Sequence, residues 1–369
     1  MASIIKWAGG KEKELPYIIQ NAPEHFADYY EPFVGGGSVF LAVNASHYYI
    51  NDLSGELYQL YQYIKSQDVV FFDSLIQLCL IWDRTTALFE LMQETLISIY
   101  MKYRNEEYSK NDIKEEIKSL CDKSKSQITA ILPQFFCKYK QKLIVEIISS
   151  LHHKMCRMRK IEVTKNMLPE KDIDDNIETA IKSAVYTHLR MLYNDKEISP
   201  LTHCCLFFFI RNYAYSGMFR YNKKGDFNVP YGGIAYNNKS LLPKINYYRS
   251  EELMRHFSKA TITGLDFENF FEAHPPKNND FVFLDPPYDS DFSTYAQNEF
   301  SQNDHKRLAH YLIHIVRCKW LMIIKSTPFI LSLYSNINNI NITSFEKEYQ
   351  VSFMNRNQKK ATHLIIKNY

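Results

Sequence analysis

Asp285-Pro286-Pro287-Tyr288 puts a carboxylate, a stiffened backbone carbonyl and an aromatic face on four consecutive residues. Such a set can hold a flat base that bears an exocyclic amine. The Asp285 carboxylate and the Pro286 carbonyl would accept the two amine hydrogens, and the ring would stack on Tyr288. The apolar run Phe281-Val282-Phe283-Leu284 precedes it and predicts a buried strand. The tetrapeptide then lies on the turn at the strand's carboxyl end, where open α/β sheets bind ligands. An ordinary proline turn would read the same way, so the motif needs company.

Glu31-Pro32-Phe33-Val34-Gly35-Gly36-Gly37-Ser38 supplies part of it. Three glycines let a backbone pass close to a ligand. Tyr48-Tyr49-Ile50-Asn51 then predicts a short strand closed by Asp52, 17 residues after Gly35. A glycine turn after one strand and a carboxylate ending the next is the layout that grips a nucleoside ribose. No Gly-Lys-Ser/Thr closes the glycine run, which excludes a phosphate-binding P-loop. Lys6-Trp7-Ala8-Gly9-Gly10-Lys11 comes before both; alone it would pass for an arm that merely packs.

In this order the motifs resemble the Dam-type adenine-N6 DNA methyltransferases (D12 class, alpha group), with the glycine motif first and Asp-Pro-Pro-Tyr last. The resemblance continues through Arg211-Asn212-Tyr213-Ala214-Tyr215-Ser216-Gly217-Met218-Phe219-Arg220-Tyr221-Asn222 and through Gly225-Asp226-Phe227-Asn228-Val229-Pro230-Tyr231-Gly232. It covers roughly residues 4–65 and 203–369, and more loosely 100–111. It implies an α/β fold: a Rossmann-like S-adenosylmethionine-dependent methyltransferase sheet with an inserted, mainly helical DNA-recognition domain. Residues 1–60 and 234–369 would form the catalytic domain, and 61–233 the target-recognition domain.

The same resemblance implies roles. Trp7, Lys11, Glu31, Phe33, Gly35, Gly37 and Asp52 would bind the donor, with Asp52 on the ribose. Asp266 would accept from the donor's adenine amine, with Phe267 beside the ring. Asp266 equally suits a helix N-cap, and the two readings are compatible. On the DNA side, Tyr215 looks like the wedge entering the base stack and Arg220 like a reader of guanine. Lys6, Arg211, Met218, Asn222 and Pro230 look like further contacts. Ser216 stands where that family has Asn after the wedge; it cannot present an amide to the orphaned base. GATC is the target these residues suggest first.

The implied reaction is methyl transfer from S-adenosylmethionine to N6 of adenine, leaving S-adenosylhomocysteine. The amine lone pair is delocalised, so it is a poor nucleophile. Acceptors at Asp285 and Pro286 act most strongly as positive charge develops on nitrogen. No metal or covalent enzyme intermediate is required. In duplex DNA the base must first be rotated out, at a cost of roughly a few kcal/mol. Two other classes stay open: an amine methyltransferase acting on RNA or protein, and a binding module that has lost catalysis.

The whole chain fits an enzyme of one large or two linked domains: 369 residues, 46% hydrophobic, net charge +3. No run is apolar and long enough for a transmembrane helix, and a cytoplasmic location is expected. Double-stranded DNA is the expected partner. A restriction endonuclease cutting the same site is the one protein partner considered, and no obligate one is inferred. Seven cysteines form no CxxC pair and read as reduced thiols. His152-His153-Cys156 and His203-Cys204-Cys205 read as helix residues rather than metal ligands. No glycine occurs from 56 to 216, and Ile113, Ile117, Leu120 and Ile144, Ile147, Ile148, Leu151 repeat at helical spacing. That stretch reads as mostly helical, with a loop near 169–176 and an insertion at about 112–195. Its basic run Lys138-Tyr139-Lys140-Gln141-Lys142 suits a solvated face, a DNA contact or a partner interface. Trp320–Ile324 predicts another buried strand, and Phe345–Met354 with Thr362–Lys367 a hairpin with a basic tip.

Overall fold

The computed structural model describes residues 1–7, 9–288, 300–348 and 360–369. In chain order the first elements are α1 (Leu15–Asn21), β1 (Asp28–Glu31), β2 (His47–Asn51) and α2 (Gly55–Ser66). A helical stretch follows: α3 (Val69–Arg104), α4 (Lys110–Lys123), α5 (Lys125–Ala130), α6 (Lys140–Thr164), α7 (Glu170–Tyr193) and α8 (Pro200–Tyr213). The α/β pattern returns with α9 (Leu242–Tyr248), α10 (Glu251–Ser258), β3 (Ala260–Thr263), α11 (Phe267–Ala273) and β4 (Phe281–Leu284). Then come α12 (Gln302–His314), β5 (Lys319–Lys325), α13 (Pro328–Tyr334), β6 (Asn341–Glu348) and β7 (Lys360–Lys367). Contacts divide the chain into two compact units, Met1–Ser66 with Tyr248–Tyr369, and Gln67–Tyr247.

The first unit is built on a seven-stranded sheet in the order β3-β2-β1-β4-β5-β7-β6. The strands from β3 to β5 pair in parallel. β7 runs antiparallel to both β5 and β6. This is the α/β, Rossmann-like arrangement expected from the sequence. Every residue of β4 is buried, as a parallel strand covered on both faces requires. One face packs Tyr30, Phe270, Leu308, Trp320 and Ile366 into a single core. Elsewhere Phe40, Tyr48 and Phe257 interlock edge to face. α2 is fastened to β3 by Lys65 Nζ donating to the Ala260 carbonyl at 2.7 Å and Gln62 to the Ile262 carbonyl at 3.2 Å. The C-terminal hairpin pairs Asn341 with Lys367 and Glu348 with Lys360. Its basic tip, 355–359, lies outside the described residues.

The second unit is helical. The helical stretch that begins at Gly55 breaks at Gln67, whose φ is +52°. Asp68 restarts it by accepting from Phe71 N at 2.7 Å, an N-cap that opens α3. The loop foreseen near 169–176 lies earlier, at 165–169. α7 already begins at Glu170, where Glu170 and Asp172 in its first turn complement the helix dipole. The segment after α8 is held inside this unit through Asn237. Its carbonyl accepts from Trp82 Nε1 at 3.1 Å and Lys182 Nζ at 2.6 Å, and its side chain accepts from Tyr231 OH at 3.0 Å.

Candidate active site

The order of the parallel strands locates the site. From β1 the chain steps outward through β2 to β3, then returns to the other side of β1 for β4 and β5. The direction of travel reverses between β1 and β4, and open α/β sheets bind ligands beyond the strand carboxyl ends at such a point. The sequence motifs occupy those ends. The glycine run follows β1, Asp52 follows β2, Asp266 is three residues past β3, and Asp285 follows β4.

The glycine loop is packed too closely for side chains at two points. A Cβ on Gly36 would collide with the Ile5 carbonyl. Gly37 has φ +78°, and a Cβ there would stand 2.5 Å from the Tyr61 hydroxyl. Tyr61 in turn donates to the Gly35 carbonyl at 3.0 Å. The loop is tied to β2 by Gly35 N donating to Asp52 Oδ2 at 2.9 Å, and Ser54 N donates to Oδ1 at 2.9 Å. Burial pushes the Asp52 carboxyl from its ordinary 3.8 up to about 6, against the pull of those two N–H groups. A partly desolvated carboxylate at this place suits a pair of hydroxyl donors, so the residues present fit a ribose.

Asn51 frames this corner, a role its local sequence does not announce. Its amide donates to the carbonyls of Pro32 at 3.0 Å and Leu265 at 2.9 Å. Its carbonyl accepts from Leu265 N at 2.8 Å and Thr263 Oγ1 at 2.8 Å. One buried side chain thus clamps the turns after β1 and β3. Glu31 lies beneath the loop, fully buried, and accepts from Tyr29 OH at 2.8 Å. Burial raises its carboxyl well above the usual range; Tyr29 opposes this, the Asp285 charge adds to it, and Lys11 opposes it.

The turn after β4 meets the N-terminal arm at Lys11. This lysine is only 3% exposed. Its ammonium is ion-paired with Asp285 Oδ2, and it also donates to the Gly9 carbonyl at 2.8 Å and Tyr288 OH at 3.3 Å. Tyr288 is half-buried, and the ring of buried His363 stands edge-on to it at 5.3 Å. Pro286 is buried and Pro287 exposed. Trp7 continues the arm to the glycine loop, with its Cδ1 3.0 Å from where a Gly35 Cβ would be. The arm therefore touches both motifs, a role its sequence alone did not disclose.

A third cluster is aromatic. Phe33 lies 6.0 Å from Phe267 and 5.5 Å from Phe300, and Phe267 lies 5.9 Å from Phe300. Asp266 caps α11 by accepting from Glu268 N at 3.0 Å. The same oxygen accepts from Arg307 at 2.8 Å. Arg307 also binds Glu268 at 2.6 Å and Asp304 at 2.8 Å, and its guanidinium lies 4.9 Å from the Phe267 ring centre. Neither Arg307 nor Phe300 was singled out from the sequence. β3 and β4 are separated by two strands, so the turns bearing Asp266 and Asp285 stand about 14 Å apart in the sheet. They do not form one carboxylate pair. Lys6 is exposed.

The remaining predicted residues belong to the second unit. Arg211 is buried and donates to the Gly217 and Met218 carbonyls at 3.2 and 3.0 Å, with its guanidinium 4.0 Å from the Phe219 ring centre. It braces a loop on which Tyr215 and Ser216 are exposed and Met218 is half-buried. Ser216 has φ +52°, a left-handed backbone that a non-glycine residue seldom adopts. A short hairpin follows, closed by the Tyr221–Phe227 bridge. Asn222 shapes its turn by accepting from Lys224 N at 2.8 Å and Asp226 N at 3.0 Å. Arg220 is exposed and donates to Asn228 Oδ1 at 2.8 Å. Pro230 is exposed, and its carbonyl accepts from Tyr215 N at 2.9 Å.

A family model described as D12 class N6 adenine-specific DNA methyltransferase matches residues 7–149 and 97–351. The chain is similar to the Type II methyltransferase M.CviBI of Paramecium bursaria Chlorella virus NC1A, 35% identical over 167 residues. That match covers 44% of this chain and 60% of the viral protein. It is also similar to the Type II methyltransferase M1.LlaDCHI of Lactococcus lactis subsp. cremoris, at 22% identity over 371 residues, 99% of this chain and 94% of that one. The DNA adenine methylase of Salmonella typhi is 23% identical over 322 residues, 85% of this chain and 76% of its own.

Proposed function

Because the chain belongs to the D12 class of N6 adenine-specific DNA methyltransferases, we propose that it methylates N6 of an adenine rotated out of duplex DNA and clamped at Asp285-Pro286-Pro287-Tyr288. S-adenosylmethionine, when bound, supplies an electrophilic methyl group on a sulfonium. Asp52 would anchor its ribose, the glycine loop and Trp7 would line its path, and Phe33, Phe267 and Asp266 would receive its adenine.

The observation that carries this reading is the cluster of Lys11, Asp285 and Tyr288 at the end of β4. Lys11 pairs with Asp285 and fixes one of its oxygens. The amine of the target base would use the other oxygen and the Pro286 carbonyl. Both acceptors gain strength as charge develops on nitrogen, and they are already in place before reaction. Tyr288, held edge-on by His363, offers its face to the base and recovers part of the unstacking cost.

In the second unit, exposed Tyr215 would enter the gap left by the base, and Arg220 would read a guanine. GATC is the proposed target. Two relatives carry Type II names, which supports a pairing with a restriction endonuclease of the same site. Among the described residues no helix is long and apolar enough to cross a membrane. The test is transfer of a tritiated methyl group into duplex DNA, RNA and protein. Label on adenine N6 of duplex DNA, lost in Asp285→Ala, is expected. Label in RNA or protein alone would overturn the reading.

A further inference from the structure

The exposed hairpin that carries Arg220 does not hold itself in place. It is only a few residues long, and a hairpin of that size is marginal without support. The support comes from one stripe of α7: Tyr186, Arg190, Tyr193 and Asn194 recur at helical spacing. Asn194 caps the helix and grips Phe227 in both directions. Its Nδ2 donates to the Phe227 carbonyl at 3.0 Å, and its Oδ1 accepts from Phe227 N at 2.9 Å. Arg190 and Tyr186 both donate to the Val229 carbonyl, at 2.8 and 3.1 Å. Tyr193 OH reaches Tyr221 OH at 3.4 Å, on the opposite arm of the hairpin.

The two gripped residues flank Asn228. Phe227 and Val229 are buried toward the helices, while Asn228 points the other way and holds the Arg220 guanidinium at 2.8 Å. Asn228 N also donates to the Arg220 carbonyl at 3.1 Å, which fixes these two residues opposite each other. Side chains alternate faces along a strand, so a slip of one residue would turn Asn228 inward and release Arg220. An apolar contact at Phe227 alone tolerates sliding. The paired donor and acceptor of Asn194 tolerate only one register.

We infer that Asn194 and Arg190 are positioning residues for target recognition: the end of α7 sets the register in which Arg220 is presented to DNA. This rests on the proposed function and gives part of the 112–195 stretch a task within it. Specificity would then depend on residues that never touch the nucleic acid.

The test uses the full-length chain. The modified site is mapped by sequencing, and duplexes with single-base changes are assayed for relative kcat/KM. Asn194→Ala and Arg190→Lys are expected to lower discrimination at one base position by about tenfold. That position should be the one relaxed by Arg220→Ala. At saturating DNA, kcat and donor affinity should stay within about twofold, which general misfolding would not spare. Unaltered discrimination in both α7 variants, with relaxation in Arg220→Ala, would overturn the inference. So would a uniform fall in kcat, donor affinity and discrimination in both variants. Failure of the unaltered chain to methylate adenine in duplex DNA would instead overturn the functional reading, and this inference with it.

Discussion

At the scale of single residues, the Lys11–Asp285 pair serves both stability and the proposed chemistry. Removing Asp285 leaves a buried ammonium without its carboxylate, which costs roughly 3–5 kcal/mol. In the proposed role it also removes an acceptor for the target amine, which would cost about 10²–10³ in rate. The two losses can be separated. Asp285→Ala is expected to lower both the melting temperature and methyl transfer. Adding Lys11→Met should restore much of the stability and none of the activity. Thermal unfolding and a tritium-transfer assay on the three proteins check this; recovered activity in the double variant would contradict the role given to Asp285. Asp52 supplies a pH signature. Its carboxyl titrates near 6, above its ordinary 3.8, because burial disfavours the charge. The folded chain without donor therefore takes up a proton as pH falls through about 6, and the destabilisation from burying this charge is relieved progressively from there down to its ordinary 3.8. Hydroxyl donors need the ionised form, so binding opposes that uptake. Affinity for S-adenosylmethionine is expected to fall as pH drops below 6, approaching about tenfold per pH unit. Asp52→Asn should bind more weakly, with that dependence gone. Calorimetric titration between pH 5 and 8 decides it, and an identical slope in the variant would remove Asp52 from the ribose site.

Among the elements, α12 is tied to α11 by Arg307, which bridges Asp266, Glu268 and Asp304. Because Arg307 and Glu268 N share one Asp266 oxygen, the carboxylate is held in a single rotation. Arg307→Gln is expected to raise the KM for the donor several-fold with little change in kcat, since the ground state and the transition state lose the same contact. Steady-state kinetics at saturating DNA check it; a fall in kcat at constant KM would place Arg307 elsewhere in the mechanism. This contact also marks where the sequence stops being legible. β4 and its turn were readable because strand, proline pair and acceptors are contiguous. The place of Asp52 at the end of β2 was readable because the strand before it is a local pattern. Arg307 meets Asp266 across 41 positions, Lys11 meets Asp285 across 274, and Asn194 meets Phe227 across 33. Those separations are set by strand order and helix packing, which leave no local period. Asn51 is an intermediate case. A polar residue closing a buried strand was visible, but its four hydrogen bonds go to Pro32, Thr263 and Leu265, brought together only by the sheet.

For the whole molecule, charge is the informative quantity. Forty-four Lys and Arg residues against 41 Asp and Glu leave +3, too little to predict nucleic-acid binding. Local placement matters more than the sum. Arg220, Lys223 and Lys224 are exposed on one short hairpin. Each cation that neutralises a phosphate releases condensed counterions, so affinity falls with salt despite the near balance of charge. The three residues should nevertheless behave differently. Arg220 is held by Asn228 and is proposed to read a base, whereas Lys223 and Lys224 lie on the turn and are free to follow the backbone. Lys223→Gln and Lys224→Gln are each expected to reduce the slope of log K against log salt by about 0.9, while discrimination between sites stays constant. Arg220→Gln should relax discrimination at one base position. Fluorescence anisotropy on target and variant duplexes over a salt series separates the two effects. If both lysine variants kept the full slope, the hairpin would not lie on the phosphate backbone. The DNA-facing surface would then have to be sought on another part of the second unit, with the basic run around Lys140 and Lys142 the first place to look.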